Sequence, residues 1–193
     1  MNPDAAAGED HGPCFLAICG SLRKISTNRA LLEAFERHAP RPIQVEIAPD
    51  IGVLPPFNPD REGSSTPVEV TAFAQKIRRS HGIVIAAPEY AHGIPGALKN
   101  ALDWLVSRSE IPGKPVMLVH ASTRGSFVRE HLTEVLRTMS VRLFDAAAFE
   151  LHLIGRTPEE ARSLLDTEEQ IRRIRATMEA FAAFASRMAE EQA

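Results

Sequence analysis

The sequence predicts an α/β protein, a three-layer sandwich with a five-stranded parallel sheet in the middle. Two observations carry this. Short apolar runs alternate with stretches of helical periodicity along most of the chain, the pattern of right-handed β-α-β crossovers with helices on both sheet faces. The strongest runs, Cys14–Cys19, Ile83–Ala87 and Val116–Val119, are apolar throughout, as strands buried on both faces are.

The elements follow in order. Cys14–Cys19 is the first strand and ends in Gly20. After the loop Ser21–Asn28 comes a helix to about His38, with Ala30, Leu31, Ala34 and Phe35 on its stripe, stopped by Pro40 and Pro42. Ile43, Val45 and Ile47 alternate with Gln44 and Glu46, which predicts a half-covered second strand. Pro49–Pro67 is rich in Pro, Gly, Asn and Ser and too long for a simple connector; such loops are functional or disordered. Val68–Ser80 is a helix with Val70, Phe73, Ala74 and Ile77 inward, and Gly82 opens the third strand.

That strand leads into the turn-rich loop Pro88–Gly93. Pro95 is placed as the first residue of the next helix, where its missing N–H would be unpaired anyway. Ile94, Ala97, Leu98, Ala101, Leu102 and Leu105 make its apolar face. Pro115–Ala121 is the fourth strand, Ser122–Ser126 a loop bearing hydroxyls and a glycine, and Phe127–Met139 a helix. Val141–Phe149 supplies the fifth strand. Thr157 caps a helix with Pro158 at its first position, and the last helix runs to near Ala189. Five such strands fit the flavodoxin-like order, whose switch point lies between the first and third strands. The loops Gly20–Asn28 and Pro88–Gly93 stand at those two strand ends.

Composition sets bounds. The chain has 193 residues, 44% hydrophobic and 24% charged, with a net charge of -3. This is an ordinary globular balance and gives no case for nucleic acid or an anionic membrane surface. No apolar run is long enough to span a bilayer. Residues 1–13 are small, polar and partly acidic and lack a signal peptide's basic and apolar regions. They are expected to form a disordered tail on one domain, 14–193, of a cytoplasmic protein. Cys14 and Cys19, an odd separation apart, should lie on opposite faces of their strand as buried, unbridged thiols. No Cys-x-x-Cys or clustered His accompanies them, so no metal site is expected.

Three loops carry the candidate chemistry. Ser21, Arg23, Ser26, Thr27 and Asn28 precede a helix N-terminus, where free N–H groups and partial positive charge suit a phosphate dianion. The same residues also suit plain helix capping with solvated cations. Neither Gly-x-Gly-x-x-Gly nor Gly-Lys-Ser/Thr is present. Pro88, Glu89, Tyr90, Ala91, His92 and Gly93 offer backbone N–H groups and an aromatic plane for a flat heteroaromatic ligand. Glu89 is either a general acid/base or a structural hydrogen-bonding carboxylate, the second being preferred. Ser122, Thr123 and Gly125 would close the site from the end of the fourth strand.

Gly20-Ser21-x-Arg23-x-x-Ser26-x-Asn28 and Pro88-Glu89-Tyr90, followed by Pro95-Gly96-x-Leu98-Lys99-Asn100-Ala101-x-Asp103-Trp104, resemble the NAD(P)H-dependent FMN reductase family. Leu54-Pro55-Pro56-Phe57-Asn58-x-Asp60 and Val119-x-Ala121-Ser122 extend the likeness, which covers roughly Phe15 to Met139. Ala91 stands where that family usually has Asn, and Ser126-Phe127 follows Gly125 where it usually has paired glycines. The resemblance implies a flavodoxin-like, FMN-bound oxidoreductase. NADPH or NADH would reduce the flavin, and a quinone, free flavin or similar small-molecule acceptor would then be reduced. No catalytic side chain is required. It further implies a homodimer or homotetramer, with Trp104 and the 49–67 segment as interface candidates. A flavodoxin-like electron carrier and a flavin-free binding protein on the same fold are the alternatives.

Overall fold

In the computed structural model, which describes residues 12–144 and 149–191, the strands run in the order β2-β1-β3-β4-β5, all pairings parallel. The elements are β1 Cys14–Cys19, α1 Thr27–His38, β2 Gln44–Ile47, α2 Val68–Arg79, β3 Gly82–Ala86, α3 Gly96–Asp103 and β4 Pro115–His120. Then come α4 Ser126–Thr138, β5 Arg142–Leu143, β6 Phe149–Glu150, α5 Pro158–Leu165 and α6 Glu168–Glu190.

The expected fifth strand is interrupted. β5 pairs with the start of β4, Pro115 facing Arg142, and β6 with its end, Val119 facing Phe149. The edge carries more residues than β4 does between those pairings, so one continuous register is impossible. Residues 145–148 of the expected strand, and 1–11 of the expected tail, lie outside the described residues.

The period-2 alternation of the central strands separates two cores. Phe15, Ala17, Val84, Ala86, Met117 and Val119 pack under α1, α5 and α6. Leu16, Ile18, Ile83, Ile85 and Val116 pack under α2, α3 and α4. Phe181 of α6 meets Phe15 at 4.7 Å between ring centroids. Thr157 begins α5 with a reciprocal capping box: its hydroxyl accepts from Glu160 N–H and its N–H donates to the Glu160 carboxylate.

Two local expectations change. Pro95 has φ −53°, ψ 134° and precedes the helix, which starts at Gly96; an extended ψ there turns the chain out of the loop before α3 begins. Trp104, an interface candidate by sequence, is only 1% exposed. Its Nε1–H donates to the Pro55 carbonyl at 2.7 Å, and its ring meets Phe57 edge-on. Asn100, one turn earlier, accepts from Phe57 N–H at 2.8 Å and donates to the Pro55 carbonyl at 3.1 Å. The 49–67 segment is therefore fastened to α3 and contains three short 3-10 turns.

Candidate functional site

The loops after β1, β3, β4 and β6 meet at the C-terminal edge of the sheet. Gly20 N–H donates to the Ala86 carbonyl at 2.8 Å, joining the first two. A β-carbon on Gly20 would lie 2.9 Å from Ala87 Cβ, so a side chain there would push the loops apart. Beyond it, Ser21 Oγ accepts from Arg23 N–H, and Ser26 caps α1 by accepting from Arg29 N–H. Thr27 and Asn28 N–H, in the first turn, have no partner among the described residues. The Asn28 side chain is 6% exposed and also makes no hydrogen bond among them. Its amide lines the cleft, where a ligand can reach it.

The loop after β3 folds more tightly than its sequence announces. Tyr90 N–H donates to the Gly93 carbonyl and Gly93 N–H to the Tyr90 carbonyl, at 3.2 and 3.0 Å. Ala91 and His92 between them have φ 48° and 56°. Two successive left-handed residues inside a closed pair define a type I′ turn. Two of the N–H groups expected to face a ligand, those of Tyr90 and Gly93, are thus spent on the turn itself. Pro88, Glu89 and Tyr90 line the cleft; Ala91, His92 and Gly93 do not. His92 instead stacks on Phe127 with 4.5 Å between centroids.

Glu89 has a structural task. Its Oε2 accepts from Val128 N–H at 3.0 Å, in the first turn of α4. Gly125 precedes that helix at φ 98°, and a β-carbon on it would sit 3.4 Å from the same carboxylate oxygen. The carboxylate caps α4 and ties the third-strand loop to the fourth-strand loop. The Ser126 and Phe127 N–H groups remain without partners among the described residues. Ser122 is fixed from both ends: its Oγ accepts from Arg124 N–H at 2.9 Å, and its carbonyl accepts from Arg129 at 2.7 Å. Arg129 also pairs with Glu150 of β6. Ser122 and Gly125 line the cleft; Thr123 is exposed outside it.

The cleft measures about 680 Å³. Its cations are Arg23, Lys24, Arg29, Arg124 and Arg156. Its two lining carboxylates are engaged, Glu33 with Arg29 and Glu89 with Val128 N–H. Sequence reading missed Arg124, His120 and the whole Ile154–Pro158 wall. The signal for that wall was available, since it follows the last strand at the same sheet edge where such folds bind ligands. His120 is 8% exposed. Burial, and next the Arg129 cation, push it down to about 4 against the pull of Glu150, so it is neutral near pH 7. Cys14 and Cys19 are free and half-buried rather than fully buried. Burial raises both thiols.

A parallel sheet of this order, with its cleft over the C-terminal ends of β1, β3 and β4, defines a protein of the flavodoxin-like fold class. The FerB flavoenzyme NAD(P)H:(acceptor) oxidoreductase of Paracoccus denitrificans has the same fold, with a TM-score of 0.74 and 21% identity over 91% of this chain and 98% of that one. Residues 14–153 match the NADPH-dependent FMN reductase family, and the chain belongs to it. A Vibrio ruber protein named NADH:(hydroxy)cinnamate reductase subunit CrdA is 36% identical over 149 residues, 74% of this chain and 71% of that protein. An Escherichia coli quinone reductase is 33% identical over 140 residues, 69% and 74% of the respective chains.

Proposed function

We propose that this flavin-dependent oxidoreductase binds FMN with its phosphate at Ser21, Arg23, Ser26, Thr27 and Asn28. The ring then lies between Pro88–Tyr90 and Ser122–Gly125. The observation that carries this is the unpartnered Asn28 amide, which lines the cleft beside the free first-turn N–H groups of α1 and among cations. Those donors fit a phosphate dianion. FMN supplies the redox chemistry, accepting reducing equivalents from NADPH or NADH and giving them up to an acceptor.

The chain's own residues bind and orient. The α1 donors hold the phosphate. The Ser126 and Phe127 N–H groups at the positive end of α4 favour negative charge on a neighbouring ring edge. Tyr90, 48% exposed, offers a plane beside the ring. The acceptor we favour is a quinone, in keeping with the Escherichia coli quinone reductase that the chain resembles. We further propose a homo-oligomer acting in the cytoplasm. Exposed Ile25, Phe127 and Ile154 leave apolar surface for a second subunit to cover. No described helix is long and apolar enough to cross a membrane.

The test is an FMN titration by fluorescence quenching, followed by NADPH oxidation with and without a quinone. Wild type should bind FMN, and Arg23→Ala should weaken binding by about 1–3 kcal/mol, the scale of a charge-assisted hydrogen bond. A colourless wild type that takes up no FMN refutes the assignment. An unchanged dissociation constant refutes the role of Arg23.

A further inference from the structure

A second cavity, of about 520 Å³, opens at the other edge of the sheet, where Pro13 leads into β1, His81 into β3 and Lys114 into β4. The last turns of α6 close one side of it. Its volume is that of a small-molecule site, and the flavin chemistry does not use it.

Lys114 is the group to explain. It lines this cavity partly buried, and its Nζ donates to the carbonyl of Ser80, the C-cap of α2, at 2.8 Å. An ammonium has further donors, and Lys114 forms no ion pair among the described residues. Burial lowers it from its ordinary value, and Glu110 offsets part of this. A cation withdrawn from water without a counterion is costly. Glu110, also on the cavity wall, is not that counterion. Its side chain is 10% exposed and is held by Arg108 at 3.1 Å. Burial opposes its charge, but Arg108, helped by Arg78, keeps its carboxyl below the ordinary value. Arg78 lines the same cavity. Lys114, Arg78 and Arg108 set against Glu110 alone leave positive charge uncompensated. Pro112, Pro115 and Met188 supply apolar wall.

One desolvated ammonium beside an apolar wall suits a monoanion with an apolar body better than a phosphate dianion, which needs donors on several sides. We infer that this cavity binds a small organic carboxylate, with its charge on Lys114 and its hydrocarbon part against Pro112, Pro115 and Met188. The site lies across the sheet from the flavin cleft and does not depend on what that cleft binds.

The experiment is a saturation-transfer NMR titration of the FMN-loaded protein, with the cationic cleft filled, using benzoate and hexanoate. Benzamide and inorganic phosphate are the controls. If FMN does not load, the unliganded chain serves, because the reading is the difference between wild type and variants. At least one carboxylate should bind wild type saturably. Lys114→Gln should weaken it about tenfold or more, the scale of a lost charge-assisted hydrogen bond. The Gln amide can still donate to the Ser80 carbonyl, so Tm should stay near that of wild type. Met188→Ala keeps Lys114 and its bond to Ser80, and should weaken the carboxylate severalfold by removing apolar contact. The FMN dissociation constant should move less than about twofold in both variants. Absence of saturable binding by either carboxylate would overturn the inference and leave Lys114 as the C-terminal cap of α2. So would unchanged affinity in Lys114→Gln, or benzamide binding as tightly as benzoate. Phosphate binding more tightly than both carboxylates, or unchanged affinity in Met188→Ala, would overturn the apolar half of the site.

Discussion

Ala91→Asn tests whether position 91 matters through its backbone or through a ligand contact. Ala91 and His92 occupy the centre of the Tyr90–Gly93 turn at φ 48° and 56°. Left-handed backbone costs a residue with a β-carbon roughly 1–2 kcal/mol. Asn tolerates it better because its side chain bonds locally. Ala91→Asn should therefore recover part of that cost, about 0.5–1 kcal/mol, and raise Tm by about 1–4 °C for a chain of this size. Ala91→Val, whose branched β-carbon is least compatible with positive φ, should lower Tm by at least as much. Position 91 is exposed and outside the cleft lining, so the FMN dissociation constant should move less than about twofold. Differential scanning calorimetry of the apo-proteins and flavin titration give the two readings. A lower or unchanged Tm for the Asn variant refutes the strained turn. Much tighter FMN binding at unchanged Tm would show that the side chain at 91 reaches the ligand.

Glu89→Ala should destabilise the fold by about 1–3 kcal/mol, since it leaves Val128 N–H uncapped and frees the two loops from one another; Glu89→Gln, still an acceptor, should cost less in urea unfolding, and equal costs would mean the cap is not the source. Asn100→Ala should cost a similar 1–3 kcal/mol by removing the bonds to Phe57 and Pro55, and should speed limited proteolysis within 49–67; an unchanged cleavage rate would show that Trp104 alone holds the segment. His120 gives a pH signature. Its folded value of about 4 lies below its ordinary 6.5, so below pH 6.5 the unfolded chain binds more protons. Wild type should then lose stability as pH falls from 6.5 to 4, by at most about 3 kcal/mol, relative to His120→Gln. A stability difference independent of pH across that window contradicts a buried neutral imidazole.

The strands and both helix layers were legible because they depend on periodicity, which survives in one dimension, while the strand order came from the doubly wound pattern that five such strands fit. Fully apolar runs marked β1, β3 and β4, and helical stripes marked the covering faces. The interruption between β5 and β6 was not legible. Nothing local distinguishes a strand that meets both ends of β4 in shifted register from one that meets it continuously. The type I′ turn was hidden for a sharper reason. Its usual signal is Asn-Gly or Asp-Gly, and here Ala91-His92 takes the same shape while His92 stacks on Phe127 of α4.

The family-like motifs divide once they are placed in space. The early one, Ser21 to Asn28, lies on the cleft. The later one splits: Pro88, Glu89 and Tyr90 reach the cleft, while Asn100 and Trp104 turn to the opposite task of clasping Pro55 and Phe57. The family-like residues Leu54, Pro55 and Phe57 therefore bond to Asn100 and Trp104. This division explains why a motif spanning Pro88 to Trp104 reads as one functional stretch. Its first third shapes the cleft wall, and its last third anchors a long segment that would otherwise leave the α3 face of the sheet open. A change at Asn100 and a change at Glu89 then reach the site by different routes. Loss of Asn100 loosens the 49–67 segment and leaves α4 capped. Loss of Glu89 uncaps α4 and displaces the Ser122–Gly125 loop that we assign to the flavin ring. Flavin affinity should follow the second and be nearly blind to the first, although both substitutions cost similar stability. Equal losses of flavin affinity would mean that the two ends of the motif act as one unit.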